Sequence, residues 1–197
     1  VFKNLNSDFD YMAGAAIPGF ENTVKLTEKS PVIILEGDEY LSSPVDRRPK
    51  FHLYKADIGL ISGIAWDHIN VFPTFENYIE QFRIFAQQIP AEGTLVYCVD
   101  DSEVKKVAED GLVKCKKIPY SMPRYEIKDG VTHLISETEK IPLAVFGEHN
   151  LQNIEGARKI CQLLGVKDGD FNTYISTFAG AVKRLQLVAK NNSCAVY

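Results

Sequence analysis

No excess of positive charge, no long apolar run and no closely spaced cysteines occur in this 197-residue sequence, and each absence removes a class of function. Lys and Arg number 22 against 26 Asp and Glu, a formal charge of −4. The pI is near 5.6. The basic footprint that holds a polyanion is therefore missing, and nucleic acid is not an expected partner. The longest apolar stretches are of strand length, well short of the roughly 18 residues of a membrane span, so no membrane partner is expected. Cys98, Cys115, Cys161 and Cys194 form no Cys-x-x-Cys pair, which argues against a zinc or redox centre. Buried reduced thiols suit a cytoplasmic protein, and no basic segment leading into an apolar one marks a signal peptide. Internal repeats, low-complexity tracts and flexible linkers are also lacking.

What is present is ordinary globular material, 45% hydrophobic and 24% charged, enough for one large domain. Residues 32–35 and 58–64 read as buried strands and are expected to lie parallel in one sheet. Thr74 is placed to cap a helix whose apolar positions Phe75, Tyr78, Ile79, Phe82, Ala86 and Ile89 share one face before Pro90 stops it. Residues 94–99 form a further strand, and Asp101 or Ser102 caps a short helix ending near Gly111. Residues 112–118, 124–128, 131–136 and 141–146 read as a local antiparallel sheet, with Asp129-Gly130 as a tight hairpin turn. Asn150 and Asp170 are expected to cap two helices closed by Gly165 and Gly180, and a final strand pair follows Arg184. The fold class is α/β, a mostly parallel sheet with flanking helices plus a small antiparallel sheet.

In open α/β sheets ligands gather outside the carboxyl ends of the strands. Two clusters fall there. Glu36-Gly37-Asp38-Glu39 follows the first strand, and its carboxylates could hold a divalent cation or form a solvated acidic turn. Asp67-His68 follows the second strand, serving as a ligand pair or as a cap. A third cluster, His149-Asn150-Leu151-Gln152-Asn153, opens a helix, where free N–H groups favour anions or polar rings; a plain helix cap is the alternative. Lys183-Arg184 sits in a turn and either clamps a phosphate or is a basic surface pair. His52 and His133 have no recognisable spacing and read as strand-surface residues.

In their order, these clusters resemble the central ATPase domain of the Mur ligases. That family carries an E-x-D-E strand end, a D-H strand end, an H-N-x-x-N helix start and a basic-Arg turn. The stretch Val45-Asp46-Arg47-Arg48-Pro49-Lys50-Phe51 resembles the murein peptide ligase branch, which recycles cell-wall peptide. Two features depart from the family pattern. Gly63 and Ala65 occupy the positions where the family often reads N-x-E before its D-H pair. The G-x-x-G-K-[ST] phosphate loop is also missing, since none of the 13 glycines is followed by Lys. With Val1 in place of Met, the expectation is a central-domain fragment spanning residues 1–197, trimmed of the upstream phosphate loop and the C-terminal domain, which folds without catalysing.

The resemblance implies an ATP-dependent amide ligase that joins UDP-N-acetylmuramate to a murein peptide through an acyl phosphate, with ATP and Mg2+ as cofactors. It assigns the metal to Glu36 and His68, charge stabilisation during transfer to Arg184, and nucleotide contacts to His149, Asn150, Asn153, Lys183 and Arg184. Ser42 and Arg47 are candidate contacts to the sugar nucleotide. A UDP-N-acetylmuramate:L-alanine ligase, a related ligase acting on folates and a non-catalytic nucleotide-binding module remain as alternatives.

Overall fold

The computed structural model describes residues 1–137 and 139–180, together with the backbone of residues 189–190 and 195–196. At its centre are three parallel strands, β4 (Ile58–Ile61), β5 (Thr94–Cys98) and β6 (Lys116–Tyr120), in the order β4-β5-β6. They are joined by α1 (Phe75–Gln88) and α2 (Ser102–Glu109) in two successive β-α-β crossovers.

Every residue of β5 is buried, because helices cover both faces of the sheet. Side chains alternate across a strand. Leu95 and Tyr97 therefore pack with Tyr78, Ile79 and Ala86 of α1 and Val104 and Val107 of α2, while Val96 and Cys98 pack with Ile160 and Leu163 of α3 (Glu148–Leu163). Two-sided burial is what makes a central parallel strand read as a continuous apolar run.

Two smaller sheets flank this core. In one, β1 (Asp10–Met12) lies between β2 (Val24–Lys25), antiparallel to it, and β3 (Ile33–Leu35), parallel to it. The other is the antiparallel β7 (Tyr125–Lys128), β8 (Val131–Ile135) and β9 (Lys140–Pro142). Asp129 and Gly130 both have positive φ, 52° and 74°, the pairing a two-residue hairpin turn requires. Then come α3 and α4 (Asp168–Ile175), which close over the antiparallel sheet around Leu134, Leu151 and Phe171. A last antiparallel pair, β10 (Ala189–Lys190) and β11 (Ala195–Val196), follows.

Several expectations need correction. Strands β3 and β4 do not pair: β3 joins β1 and β4 joins β5. The strand expected at 112–118 begins at Lys116 and extends the parallel sheet rather than the antiparallel one. Val113 and Cys115 are buried in the α1/α2 core, so the chain must still be finishing the crossover there. The third helix starts at Glu148, with Gly147 at φ 88° as its N-cap, so Asn150 lies inside its first turn. Likewise Lys167 caps α4 and Asp170 is inside it. His52 is buried, in a short 3-10 turn (Lys50–Leu53), and its Nε2 lies 2.8 Å from the Gln81 carbonyl. Burial, only partly offset by that bond, pushes its imidazole below the usual pKa. Cys98, Cys115 and Cys161 are buried and unpaired as expected. Cys194 lies outside the described residues.

Candidate active site at the carboxyl ends of β4 and β5

The sequence after β4 turns sharply. Ile64 gives its N–H to Asp101 at 2.8 Å, and the other oxygen of Asp101 accepts the N–H groups of Glu103 and Val104 at 2.9 and 3.1 Å, capping α2. One carboxylate thus ties the carboxyl end of β4 to the helix that follows β5. Asp100 takes the Met122 N–H at 2.6 Å, tying the same edge to the segment after β6. These bonds hold open a cleft of about 810 Å³ over the strand ends. Its apolar wall is Phe51, Tyr78, Phe82 and Phe85, and its polar rim is Glu39, Asp100, Asp101, His149, Gln152 and Asn153. A second, more open depression on the antiparallel sheet is lined by Lys128, His133 and Lys140. It lies away from the strand ends, and Lys140 is already paired with Glu126 at 2.8 Å.

Beyond Ile64, the chain places His68 at φ +53°. Its N–H bonds to the Asp67 carboxylate at 2.6 Å, and its carbonyl accepts the N–H groups of Val71 and Phe72 at 2.7 and 2.9 Å. Its Nε2 lies 3.3 Å from Oε1 of Glu39. That same oxygen accepts the hydroxyl of Tyr78 at 3.2 Å. Burial first, and the Glu39 carboxylate second, push the Tyr78 phenol well above its usual pKa, so it stays a hydrogen-bond donor. Glu36 is directed elsewhere: its Oε2 accepts the Gly14 N–H at 2.7 Å.

At the helix start, His149 and Asn153 face the cleft with Gln152, one turn apart on α3. Asn150 turns back and donates to the Phe146 carbonyl at 2.7 Å, while Gln152 reaches Cys98 Sγ at 3.8 Å. Ser42 Oγ donates to the Arg48 carbonyl at 2.7 Å. Arg47 is exposed beside the Asp46–Arg48 ion pair at 2.7 Å. Lys183 and Arg184 lie outside the described residues. Tyr78 and Asp101 are side chains to which sequence reasoning gave no site role, and Glu39 had one only as a member of the acidic segment. Asp101 carried a signal only as a helix cap, and Tyr78 only as an apolar position of α1.

Residues 25–160 match the family model described as the Mur ligase middle domain, well over half of the chain. The chain belongs to the Mur ligase family. Among its relatives, the UDP-N-acetylmuramate–L-alanyl-gamma-D-glutamyl-meso-2,6-diaminoheptandioate ligase of Escherichia coli is 26% identical over 195 residues, 92% of this chain and 41% of the relative. The UDP-N-acetylmuramate–L-alanine ligase of Rubrobacter xylanophilus is 27% identical over 176 residues, 85% of this chain and 37% of the relative. This Mur ligase chain thus spans about two fifths of the curated relatives it matches. Two solved structures share its fold. The murein peptide ligase of Psychrobacter arcticus has a TM-score of 0.72 at 18% identity over 100% of this chain and 46% of that one. The MurF ligase of Thermotoga maritima, solved in complex with ADP, has 0.70 at 17% identity over 96% and 46%. No described helix is long and apolar enough to cross a membrane.

Among the described residues no three His, Cys, Asp or Glu side chains converge as a self-sufficient metal site. The Glu39 carboxylate lies beside the His68 imidazole, while Glu36, in the same acidic segment, accepts the Gly14 N–H; of these groups only the carboxylates are of the oxygen type that magnesium prefers. That ion takes one or two protein ligands and completes its shell with phosphate oxygens and water.

Proposed function

We propose that this chain is the nucleotide-facing part of an ATP-dependent Mur ligase that joins UDP-N-acetylmuramate to a murein peptide. The observation that carries the reading is the cleft itself. Fold and sequence bring the acidic segment after β3, the turn after β4 and the first turn of α3 to one rim, and all three clusters match the family's motifs. The Asp46-Arg47-Arg48-Pro49-Lys50-Phe51 stretch supports the murein peptide branch.

In this reading the adenine ring lies along the His149 and Asn153 face of α3, where Asn153 offers two donors and an acceptor. Glu36, on leaving the Gly14 N–H it now accepts, and His68 would hold Mg2+, which when bound would offset charge on the phosphates. Lys183 and Arg184 bind phosphate, and Arg184 stabilises charge as the γ-phosphoryl group moves to the sugar carboxylate. The peptide amine then attacks the acyl phosphate carbon, passes through a tetrahedral intermediate and expels inorganic phosphate. Ser42 and Arg47 contact the sugar nucleotide. The wall of Phe51, Phe82 and Phe85 excludes water, which would otherwise hydrolyse the acyl phosphate.

A second reading, the alanine-adding ligase, draws on the 27% identity to the Rubrobacter xylanophilus enzyme, as high as that to the peptide ligase. The test uses full-length protein: ADP release with Mg2+ and UDP-N-acetylmuramate, offered either L-Ala-γ-D-Glu-meso-diaminopimelate or L-alanine, with the product identified by mass. Tripeptide-dependent release and a muramoyl-tripeptide product are expected. Release with L-alanine alone favours the second reading, and release with neither amine rejects both. Glu36→Gln should lower kcat far more than it raises the KM for the sugar nucleotide.

A further inference from the structure

His149, Gln152 and Asn153 share one face of α3 and line the cleft. The residue that continues that face towards the sheet, at the i+3 and i+4 spacing from Asn153 and Gln152, is Gly156. It is buried in the helix interior, where glycine costs stability relative to alanine. A Cβ built there would meet Cδ1 of Leu60 at 2.9 Å, the hydroxyl oxygen of Tyr120 at 3.0 Å and Cδ2 of Leu60 at 3.1 Å. Leu60 belongs to β4 and Tyr120 to β6, so Gly156 meets a side chain from each strand that flanks β5.

The two neighbours differ in freedom. Leu60 is 37% exposed, and the end of its side chain has solvent to turn into. Tyr120 is 4% exposed, and its ring packs with Val96, Cys98, Ile118, Ile160 and Leu163, which leaves the hydroxyl no path of retreat. That hydroxyl is buried without a hydrogen-bond partner among the described residues. A polar atom so placed costs stability, and phenylalanine would fill the same core without it. Two costly choices, a glycine inside a helix and an unpartnered phenol, therefore face each other at one contact.

We propose that Gly156 and the Tyr120 hydroxyl form a spacer: the glycine lets α3 approach the sheet, the hydroxyl stops it, and together they set the height at which His149, Gln152 and Asn153 stand over the strand ends. Both are positioning residues. The spacing stands on geometry, and only its consequence for a nucleotide rests on the ligase reading. Leu60, Gln152 and Asn153 line the same cleft, so raising the helix by one methyl group widens that cleft at its polar rim. It would also pull the Gln152 amide from Cys98 Sγ, now 3.8 Å away.

The test compares full-length wild type with Gly156→Ala, Tyr120→Phe and the double variant, by crystal structure and by calorimetric titration with ATP and Mg2+. In an unobstructed helix interior alanine is the better residue, so any displacement reports the contact. Gly156→Ala should lift α3 from β6 and weaken ATP binding by about 10–100-fold, the scale that a misplacement of about 1 Å carries. Tyr120→Phe should let α3 settle closer to the sheet, with a smaller loss of affinity. In the double variant the new methyl group takes the place of the lost hydroxyl, a nearly volume-conserving exchange, and both helix position and affinity should return towards wild type. An α3 that Gly156→Ala leaves in place, or a double variant as displaced as the single one, overturns the spacer. A displaced α3 with unchanged ATP affinity overturns its role in the site. If Gly156→Ala folds only together with Tyr120→Phe, the contact is upheld, and a double variant no more stable than the single one overturns it. Wild type that binds no ATP rejects the ligase reading, while the helix positions still decide the spacer.

Discussion

Asp101 bonds the backbone N–H of Ile64 at 2.8 Å across 37 residues of sequence. Through this contact and its cap on α2, one side chain ties the segment leaving β4 to the helix that follows β5, at the floor of the cleft. Asp101→Ala removes a helix cap, worth about 0.5–2 kcal/mol, and leaves a half-buried N–H without its partner, about 1–3 kcal/mol more. Urea denaturation should show a loss of about 2–4 kcal/mol, with Asp101→Asn recovering part of it. A denaturation midpoint unmoved by Asp101→Ala would show that the contact does not hold the cleft.

Asn150 and Asn153 should separate structure from binding. Asn150 is bonded to Phe146 within the helix entry, whereas Asn153 faces the cleft. Asn153→Ala in full-length protein is expected to weaken ATP binding by about 1–3 kcal/mol with little change in thermal stability. Asn150→Ala should do the reverse in stability. If Asn153→Ala lowers the melting temperature and leaves ATP affinity alone, the first turn of α3 is only a helix entry.

Gly93 sits where β5 begins, and a Cβ there would meet the Asp57 carbonyl oxygen at 2.6 Å and the Pro90 carbonyl oxygen at 3.0 Å. Backbone atoms cannot step aside as a side-chain end can. Gly93→Ala should therefore cost about 1–3 kcal/mol and shift β5 against β4. Calorimetry decides: a melting temperature equal to wild type would mean that the turn relaxes freely.

Asp46 carries the pH prediction. The side-chain hydrogen bond from Arg48, aided by its N–H, holds this carboxyl at about 2, below the usual value of about 3.9. Because the folded value is depressed, the contribution of the pair is present above the unfolded carboxylate range and disappears as pH falls through about 2. Carboxyl 13C titration should find Asp46 at about 2 and Arg48→Ala should return it toward the ordinary range. An Asp46 midpoint that ignores Arg48→Ala would leave the loop around Ser42 and Arg47 without this tether.

The sequence by itself determined the local elements whose signals are short-ranged. Thr74 before the apolar face of α1 produced the helix it announced, its hydroxyl accepting the Asn77 N–H at 3.2 Å. Asp101 and Asp129-Gly130 acted as cap and turn, and the apolar run of β5 became the central strand. The family was also legible: the resemblance read from short clusters in fixed order agrees with the family model that matches residues 25–160, although identity to the Escherichia coli relative is only 26%. Tertiary structure alone decided which strands pair. Residues 32–35 and 58–61 are both short apolar runs, and nothing local to either says that the first joins β1 and the second β5. It also decided which carboxylate meets His68. Glu36 and Glu39 lie in one acidic segment, and composition cannot distinguish them. The choice of Glu39 depends on Tyr78, brought from 39 residues away by the packing of α1, and a contact between side chains on separate elements exists only once the core has fixed where those elements stand.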